Sequence, residues 1–355
     1  MIPVKSVEDV MQMAHSYQKS MALFVALRLD VFSALAGGAA DARTLARGLS
    51  ADPRNLSILL NAMVAAGLLA KAGENYRNTP VAREVLSDGP RSMRSILLHH
   101  LNCWEEWTGL EKKIRGGRKG SGRQPDYQEN FIRGMEDNSR ERAVLVAGRI
   151  PLRAGERVLD LGGGPGTYAV EWAKRYPDAE VTVFDTPETL RVTRKILREK
   201  GASRLVRLQE GDFLKDPLGG PCDFIWISQI LHAYSEKDCL FLLRKVRQAL
   251  APGGRVAVQE FLLEESKTAP LGPAFFSVHM AAVTEGGRAY SAGEVASMLG
   301  AAGFRNVSAD RPDPRGVGIV SGQSDSALSR GVSVSSVTKN TDPSRRGGGG
   351  GRYRT

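Results

Sequence analysis

The chain has 355 residues, 42% hydrophobic and 25% charged, which is ordinary usage for folded domains and enough length for two of them. This excludes a wholly disordered, collagen-like or coiled-coil chain. No apolar run reaches the ~20 residues of a membrane helix, and the uncharged stretch 55–70 is interrupted by Ser57 and Asn61. The net charge of +10 does not gather on the folded part, because the 35 residues from 321 onward hold six basic side chains against two acidic ones.

Lys5, Glu8 and Asp9 stand where a signal peptide has its apolar core, so a cytoplasmic protein without membrane attachment is expected. Cys103, Cys222 and Cys239 are too scattered for a zinc pattern or a disulfide framework and read as core thiols. Leu23, Leu27 and Val31 recur at helical spacing, predicting one amphipathic helix over 14–35 ended by Gly37-Gly38. A short helix over 44–48 follows. Asp52 and Pro53 then open a third as N-cap and first helical residue, and it runs to Ala66. Short strands at 68–70 and 76–78 flank the turn Gly73-Glu74.

Three helices and a hairpin form a winged-helix pattern over 1–99, which raises DNA binding as a reading. The would-be recognition helix, 55–66, carries no charge for phosphates or base edges, so nucleic acid is not the expected partner. So apolar a module is read as a dimerisation domain, predicting a homodimer. Over the helical linker 100–148, Trp104, Trp107, Leu110 and Ile114 recur at helical spacing and read as core packing. Residues 116–124 read as a flexible glycine-rich loop.

From Glu156 onward strands and helices alternate. Strands are expected at 157–161, 180–184, 205–209, 223–227 and 255–260, and helices at 167–176, 187–200, 236–250 and 291–302. The pattern predicts an α/β, doubly wound, Rossmann-like parallel sheet over 149–320, with its ligand at the carboxyl ends of the strands. The Ser-, Gly- and Arg-rich segment 321–355 reads as a disordered tail.

The chemistry is concentrated at the strand ends. Asp160-Leu161-Gly162-Gly163-Gly164-Pro165-Gly166 follows a strand and opens a helix. A nicotinamide fingerprint would need glycine at 167, where this chain has threonine. The pattern acidic–apolar–G-x-G-x-G instead resembles motif I of class I S-adenosylmethionine (SAM) methyltransferases. Asp160, Gly162, Gly163, Gly164 and Gly166 are therefore candidate cofactor residues. Asp185 ends the second strand and can accept two ribose hydroxyls, or cap the helix at Pro187. In Gly211-Asp212-Phe213, Asp212 can accept the adenine amino hydrogens and Phe213 can lie on the base.

With Leu231-His232, Pro252-Gly253-Gly254 and Gly286-Gly287-Arg288, the chain resembles, over about 10–320, the winged-helix-containing O-methyltransferases. That family includes caffeate, acetylserotonin and bacterial polyketide and pigment enzymes. The resemblance implies SAM as methyl donor and His232 as a general base taking a proton from a hydroxyl, without a metal. It also implies a small, hydrophobic, aromatic acceptor near Phe276, His279 and Met280, the last at a position where relatives clamp a ring by a thioether. This chain departs from the family in having Ala233 and Ala289 where acidic partners of the histidine often stand. Ser228 replaces a basic residue and is kept as a cofactor candidate. Glu260, ending the fifth strand, is the candidate substitute partner. Two rival readings follow. One is a C- or N-methyltransferase, or a non-methylating SAM protein, working by proximity. The other is a winged-helix, ligand-responsive DNA-binding regulator.

Overall fold

The computed structural model describes residues 4–116 and 127–325. The loop expected at 116–124 lies, but for Gly116, outside them, as does the tail beyond 325.

The first helix, α1 (Val7–Arg28), begins before the periodic apolar positions do, because Ser6 and Asp9 close a reciprocal capping box. It does not continue to residue 35 as its spacing predicts. Asp30 takes a left-handed φ of 66°, which aspartate tolerates better than most residues, and its carboxylate meets the Arg94 guanidinium at 2.6 Å. The break turns Val31 and Phe32 of α2 (Val31–Ala34) fully into the core. Next come β1 (Ala40–Asp41), α3 (Ala42–Gly48), α4 (Pro53–Ala65), β2 (Leu69–Ala72), β3 (Asn75–Asn78) and α5 (Pro80–Val85). Asp52 caps α4 by accepting from the Asn55 N–H, as its sequence foretells. The hairpin is wider than expected, since β1 adds to the outer edge of β3 in the order β1-β3-β2. Beyond Arg54 in its first turn α4 carries no charge; it buries Leu56, Leu60 and Met63 in this module, and its Asn61 accepts from the Tyr76 hydroxyl at 2.9 Å.

Three helices connect the module to the sheet: α6 (Arg94–Thr108), α7 (Leu110–Ile114) and α8 (Tyr127–Arg149). Helices α6 and α8 approach so closely that a Cβ on Gly134 would stand 2.9 Å from the Ile96 Cα. The expectation that Trp104, Trp107, Leu110 and Ile114 form a core stripe does not hold. Ile114 is 71% exposed, and Trp104, Trp107 and Leu110 are only partly covered.

The second domain runs β4 (Arg157–Leu161), α9 (Thr167–Arg175), β5 (Glu180–Asp185), α10 (Pro187–Glu199), β6 (Arg207–Glu210), β7 (Cys222–Ser228). After a single turn at Leu231–Ala233 it continues with α11 (Glu236–Ala249), β8 (Leu250–Leu263), α12 (Leu271–Val283), β9 (Tyr290–Ser291), α13 (Ala292–Ala301), β10 (Arg305–Ala309) and β11 (Val317–Gln323). The sheet order is β10-β11-β8-β7-β4-β5-β6, with β9 beside β8. From β8 to β6 all neighbours are parallel, as predicted. Strand β11 then enters antiparallel between β8 and β10, so the sheet is mixed rather than wholly parallel.

Side chains alternate between two helix-covered faces. Leu159, Leu161, Ile225 and Ile227 join the core with α11 and α13, whereas Val158, Phe224 and Trp226 join the one with α8, α9 and α10. The three cysteines are buried thiols, as expected.

The boundary at 320 is also corrected. Ser321 pairs with Ala257 inside the sheet, the Ser324 N–H donates to the Gly254 carbonyl, and Asp325 meets Arg247 at 2.6 Å. The glycines and serines of 316–325 disguise a strand whose apolar positions, Val317, Ile319 and Val320, are buried. A chain ending at Val320 will therefore melt about 5 °C or more below one ending at Asp325 in a calorimetric scan. Equal midpoints would remove residues 321–325 from the folded unit.

Candidate active site

The carboxyl ends of β4, β5, β6 and β7 lie side by side along one edge of the sheet, where a doubly wound fold takes its ligand. At the end of β4 the chain turns through Gly162 and Gly164, both left-handed (φ 67° and 53°), into Gly166, which caps α9. Glycine is required here on two grounds. The backbone angles are strained for other residues, and a Cβ on Gly163 would press on the Asp160 carboxylate at 2.7 Å. At Gly164 nothing lies within 4 Å of where a Cβ would be, so the turn leaves open space above it.

Asp160 lies under this turn, 1% exposed, and its Oδ2 has no hydrogen-bond partner among the described residues. Burial raises its pKa to about 7, partly offset by the Ala169 N–H, and the nearby Asp185 adds to the rise. Asp185 ends β5. It accepts the Gly164 N–H at 2.9 Å and the Thr186 N–H at 2.7 Å, so it braces the glycine turn, and each oxygen keeps a further lone pair for a ligand. Burial raises its pKa as well. The helix cap before Pro187 is Thr186 rather than Asp185.

After β6, Gly211 allows Phe184 to lie against the backbone, where a Cβ would be 2.5 Å from the ring. Asp212 accepts the Leu214 N–H and pairs with Lys215 at 2.8 Å, and that ammonium holds its pKa below the usual range. Phe213 is buried edge-on to Tyr234, with ring centres 5.6 Å apart. Lys245 of α11, which nothing in the sequence singles out, ties this loop down by donating to the Phe213 and Asp216 carbonyls.

At the end of β7, Ser228 donates to Gln259 Oε1 at 3.1 Å, and the same oxygen accepts from the Tyr168 hydroxyl at 2.6 Å. Gln259 and Tyr168 thus form a buried polar relay that sequence reading missed. The turn that follows carries His232. Its Nδ1 stands 2.7 Å from Glu260 Oε2, and Glu260, on β8, is 1% exposed. A carboxylate only accepts, so Nδ1 carries the hydrogen and Nε2, on the other side of the ring, is the nitrogen left to face a ligand. Phe276 of α12 meets the imidazole edge-on at 4.8 Å. Gly286-Gly287 packs on the same turn, and a Cβ on Gly287 would collide with the His232 carbonyl. Ala233 and Ala289 contribute no acid; the Ala289 N–H donates to the Ser277 hydroxyl instead.

Beyond Phe276, His279 and buried Met280 continue along α12. His279 Nδ1 accepts from the Trp107 indole N–H at 3.0 Å, so Trp107 is tied to α12 and is not a member of a core stripe. Burial lowers the pKa of His279 to about 4, with the charges of His100 and His232 adding to the effect. His99 on α6 behaves likewise: it is 6% exposed and shifted to about 4, mainly by burial. No sequence signal separates His99 from an ordinary core residue.

Comparison with known proteins gives a consistent picture. A family model described as an O-methyltransferase domain matches residues 113–305, and one described as an O-methyltransferase dimerisation domain matches 11–88. The chain is 32% identical over 330 residues to the acetylserotonin O-methyltransferase of Mus musculus molossinus, covering 85% of each. It is 28% identical to the tetracenomycin polyketide synthesis 8-O-methyl transferase TcmO of Streptomyces glaucescens, covering 89% of this chain and 97% of the relative. The crystal structure of human N-acetylserotonin methyltransferase in complex with SAM superposes with a TM-score of 0.80 at 26% identity, over 92% of this chain and all of that one.

His279 also makes a stability prediction. It titrates near 4 when folded and near ~6.5 when unfolded, so between those values the unfolded chain binds more protons. Its contribution is complete above about pH 6.5 and is lost as the pH falls toward 4. The melting temperature of His279→Gln will therefore fall less between pH 7 and pH 4.5 than that of the wild type. An equal or steeper fall in the variant would mean that the folded imidazole is charged.

Proposed function

The chain belongs to the O-methyltransferase family, and within this SAM-dependent O-methyltransferase fold we propose His232 as the general base that accepts the proton of a hydroxyl on a flat, hydrophobic small molecule. The observation that carries this is the 2.7 Å contact between His232 Nδ1 and buried Glu260, which leaves Nε2 as a lone-pair base.

The residues around the glycine turn suit the cofactor. Asp160 holds an unpartnered buried carboxylate oxygen, the space above Gly164 is open, and Asp185 has lone pairs to spare beside it. In this proposal Asp160 and Gly162 to Gly166 cradle the amino-acid end, Asp185 takes the ribose hydroxyls, Asp212 and Phe213 meet the base, and Ser228 lies near the reacting end. When bound, SAM supplies a methyl group on a positively charged sulfur. The chain's own task is then to hold an oxygen in line and relieve it of its proton. A phenol with a pKa of ~10 keeps that proton at neutral pH. His232 Nε2 removes it, while Glu260 stabilises the resulting imidazolium through Nδ1–H and fixes the ring plane. Phe276 and Met280 line the acceptor's apolar body, and their character favours an aromatic ring.

The proposal uses no metal, since His232 with Glu260 behind it supplies the base. The rival in which proximity alone suffices is disfavoured by the buried Glu260, because an ionisable group placed against His232 at 1% exposure costs stability that a proximity enzyme has no reason to maintain. The DNA-regulator reading is disfavoured by α4, whose polar Asn61 is engaged with the hairpin. We further propose that two copies associate through α1 and α4. There Val10, Met13, Tyr17, Val25 and Ile58 are exposed around a groove lined by Met21, Leu29 and Leu59. Among the described residues no helix is long and apolar enough to cross a membrane.

His232→Ala will lower kcat by ~10²–10⁴-fold with SAM affinity unchanged, and Glu260→Gln by ~10–10²-fold. Transfer of labelled methyl from SAM to a phenolic acceptor reads this; equal rates in wild type and His232→Ala would leave proximity as the mechanism. Removing divalent metals with a chelator will leave the rate unchanged, and a rate restored only by added metal would overturn the metal-free reading. Asp185→Ala, which also frees the Gly164 and Thr186 N–H groups, will weaken SAM binding at least about 10-fold by calorimetry.

A further inference from the structure

The far wall of the acceptor cleft carries a hydrogen-bond donor of fixed sense. Trp107 can only donate, and its indole N–H points at His279 Nδ1 from 3.0 Å. The two rings are nearly coplanar in orientation, 14° apart, with centres at 6.1 Å. Nδ1 is thereby the accepting nitrogen, and a neutral imidazole must carry its hydrogen on Nε2. That nitrogen is turned away from Trp107 and has no hydrogen-bond partner among the described residues. His279 is also kept uncharged: burial and the neighbouring His100 and His232 disfavour its protonated form, against a smaller opposite influence of Glu106.

His279 stands two ring-to-ring steps from the base. His232 to Phe276 is 4.8 Å and Phe276 to His279 is 6.0 Å between centres. A flat acceptor lying along Phe276, with its hydroxyl at His232 Nε2, therefore extends its other end toward His279. We propose that this enzyme selects acceptors bearing, on the ring system opposite the methylated hydroxyl, an uncharged hydrogen-bond-accepting atom such as a quinone or ketone oxygen, which takes the Nε2–H of His279, and that Trp107 is the positioning residue that enforces that tautomer. The inference rests on the acceptor site proposed above and narrows its substrate class. A cleft that merely needed apolar lining would leave the selection to shape. A fixed donor with no other partner instead penalises any acceptor that leaves it unpaired.

The test uses two probes with the same linear tricyclic carbon skeleton, 2-hydroxyanthraquinone and 2-hydroxyanthracene, titrated into the full-length protein loaded with S-adenosylhomocysteine. The wild type will bind the quinone about 10- to 100-fold more tightly. His279→Leu will bring the ratio near one, His279→Gln, which keeps a donor, will retain part of it, and Trp107→Phe will reduce it. In the wild type the ¹⁵N resonance of His279 Nδ1 will be that of an unprotonated ring nitrogen, and in Trp107→Phe it will move toward a tautomer average, a change that loss of packing alone would not produce. Equal affinities in the wild type, a preference that survives in His279→Leu, or failure of the quinone to bind would each overturn the proposal. His232→Ala separates this from the assignment of the base. If that variant retains the preference and loses turnover, both stand. If it retains both, the base assignment falls while the recognition by His279 remains.

Discussion

The site is organised by the register of two parallel strands. β7 and β8 pair so that Ile227 stands beside Val258 and Ser228 beside Gln259. The chain leaving β7 must therefore pass directly over Glu260, and the histidine four residues beyond Ser228 reaches that carboxylate through a single tight turn. Neighbouring features accommodate the pair. Gly287 lets a later segment close over the His232 carbonyl, Phe276 presses edge-on against the imidazole, and Gln259 ties Ser228 to Tyr168 one residue before the carboxylate. A slip of one residue between these strands would turn Glu260 to the other face of the sheet and leave the histidine without its partner.

This dependence explains what was legible in the amino-acid chain. The glycine turn, Asp185, the Gly211-Asp212-Phe213 loop and His232 are local signals, each following a strand whose apolar run is unmistakable, and the structure brings them to one cleft. Glu260 was readable only as a carboxylate at a strand end, because contact with a residue 28 positions away is a matter of sheet register. Trp107 and His279 were harder still, being separated by 172 residues and lying on helices whose periodicity resembles plain core packing. The break at Asp30 escaped for a different reason: the flanking apolar spacing is continuous, and only the contact of its carboxylate with the Arg94 guanidinium, far along the chain, shows why the helix stops there. In β11 the start of the segment that reads as a tail sits where there is little room, as at Gly322, where a Cβ would stand 3.0 Å from the Phe304 Cβ.

The cleft divides its electrostatics between its two ends. Around the glycine turn, two carboxylates are held in surroundings that disfavour their charge, a state that a cationic ligand relieves. Around α6 and α12, imidazoles are held in surroundings that disfavour theirs, a state that an uncharged aromatic ligand leaves undisturbed. His232 stands between these ends. On the proposed assignment, the same burial that destabilises ionised groups sorts a cationic cofactor from an uncharged acceptor before any chemistry begins.

The antiparallel entry of β11 has a consequence for how the molecule is made. During synthesis β8 is complete some sixty residues before β11 exists. Until then the strand that bears Gln259 and Glu260 is an open edge, with one row of N–H and C=O groups facing solvent or any passing strand. The nascent chain thus carries a sticky ribbon beside the His232 turn for the time taken to translate α12, α13 and β10. That interval is when a ribosome-bound chaperone has most to protect, and when two unfinished chains on one message are most able to pair wrongly.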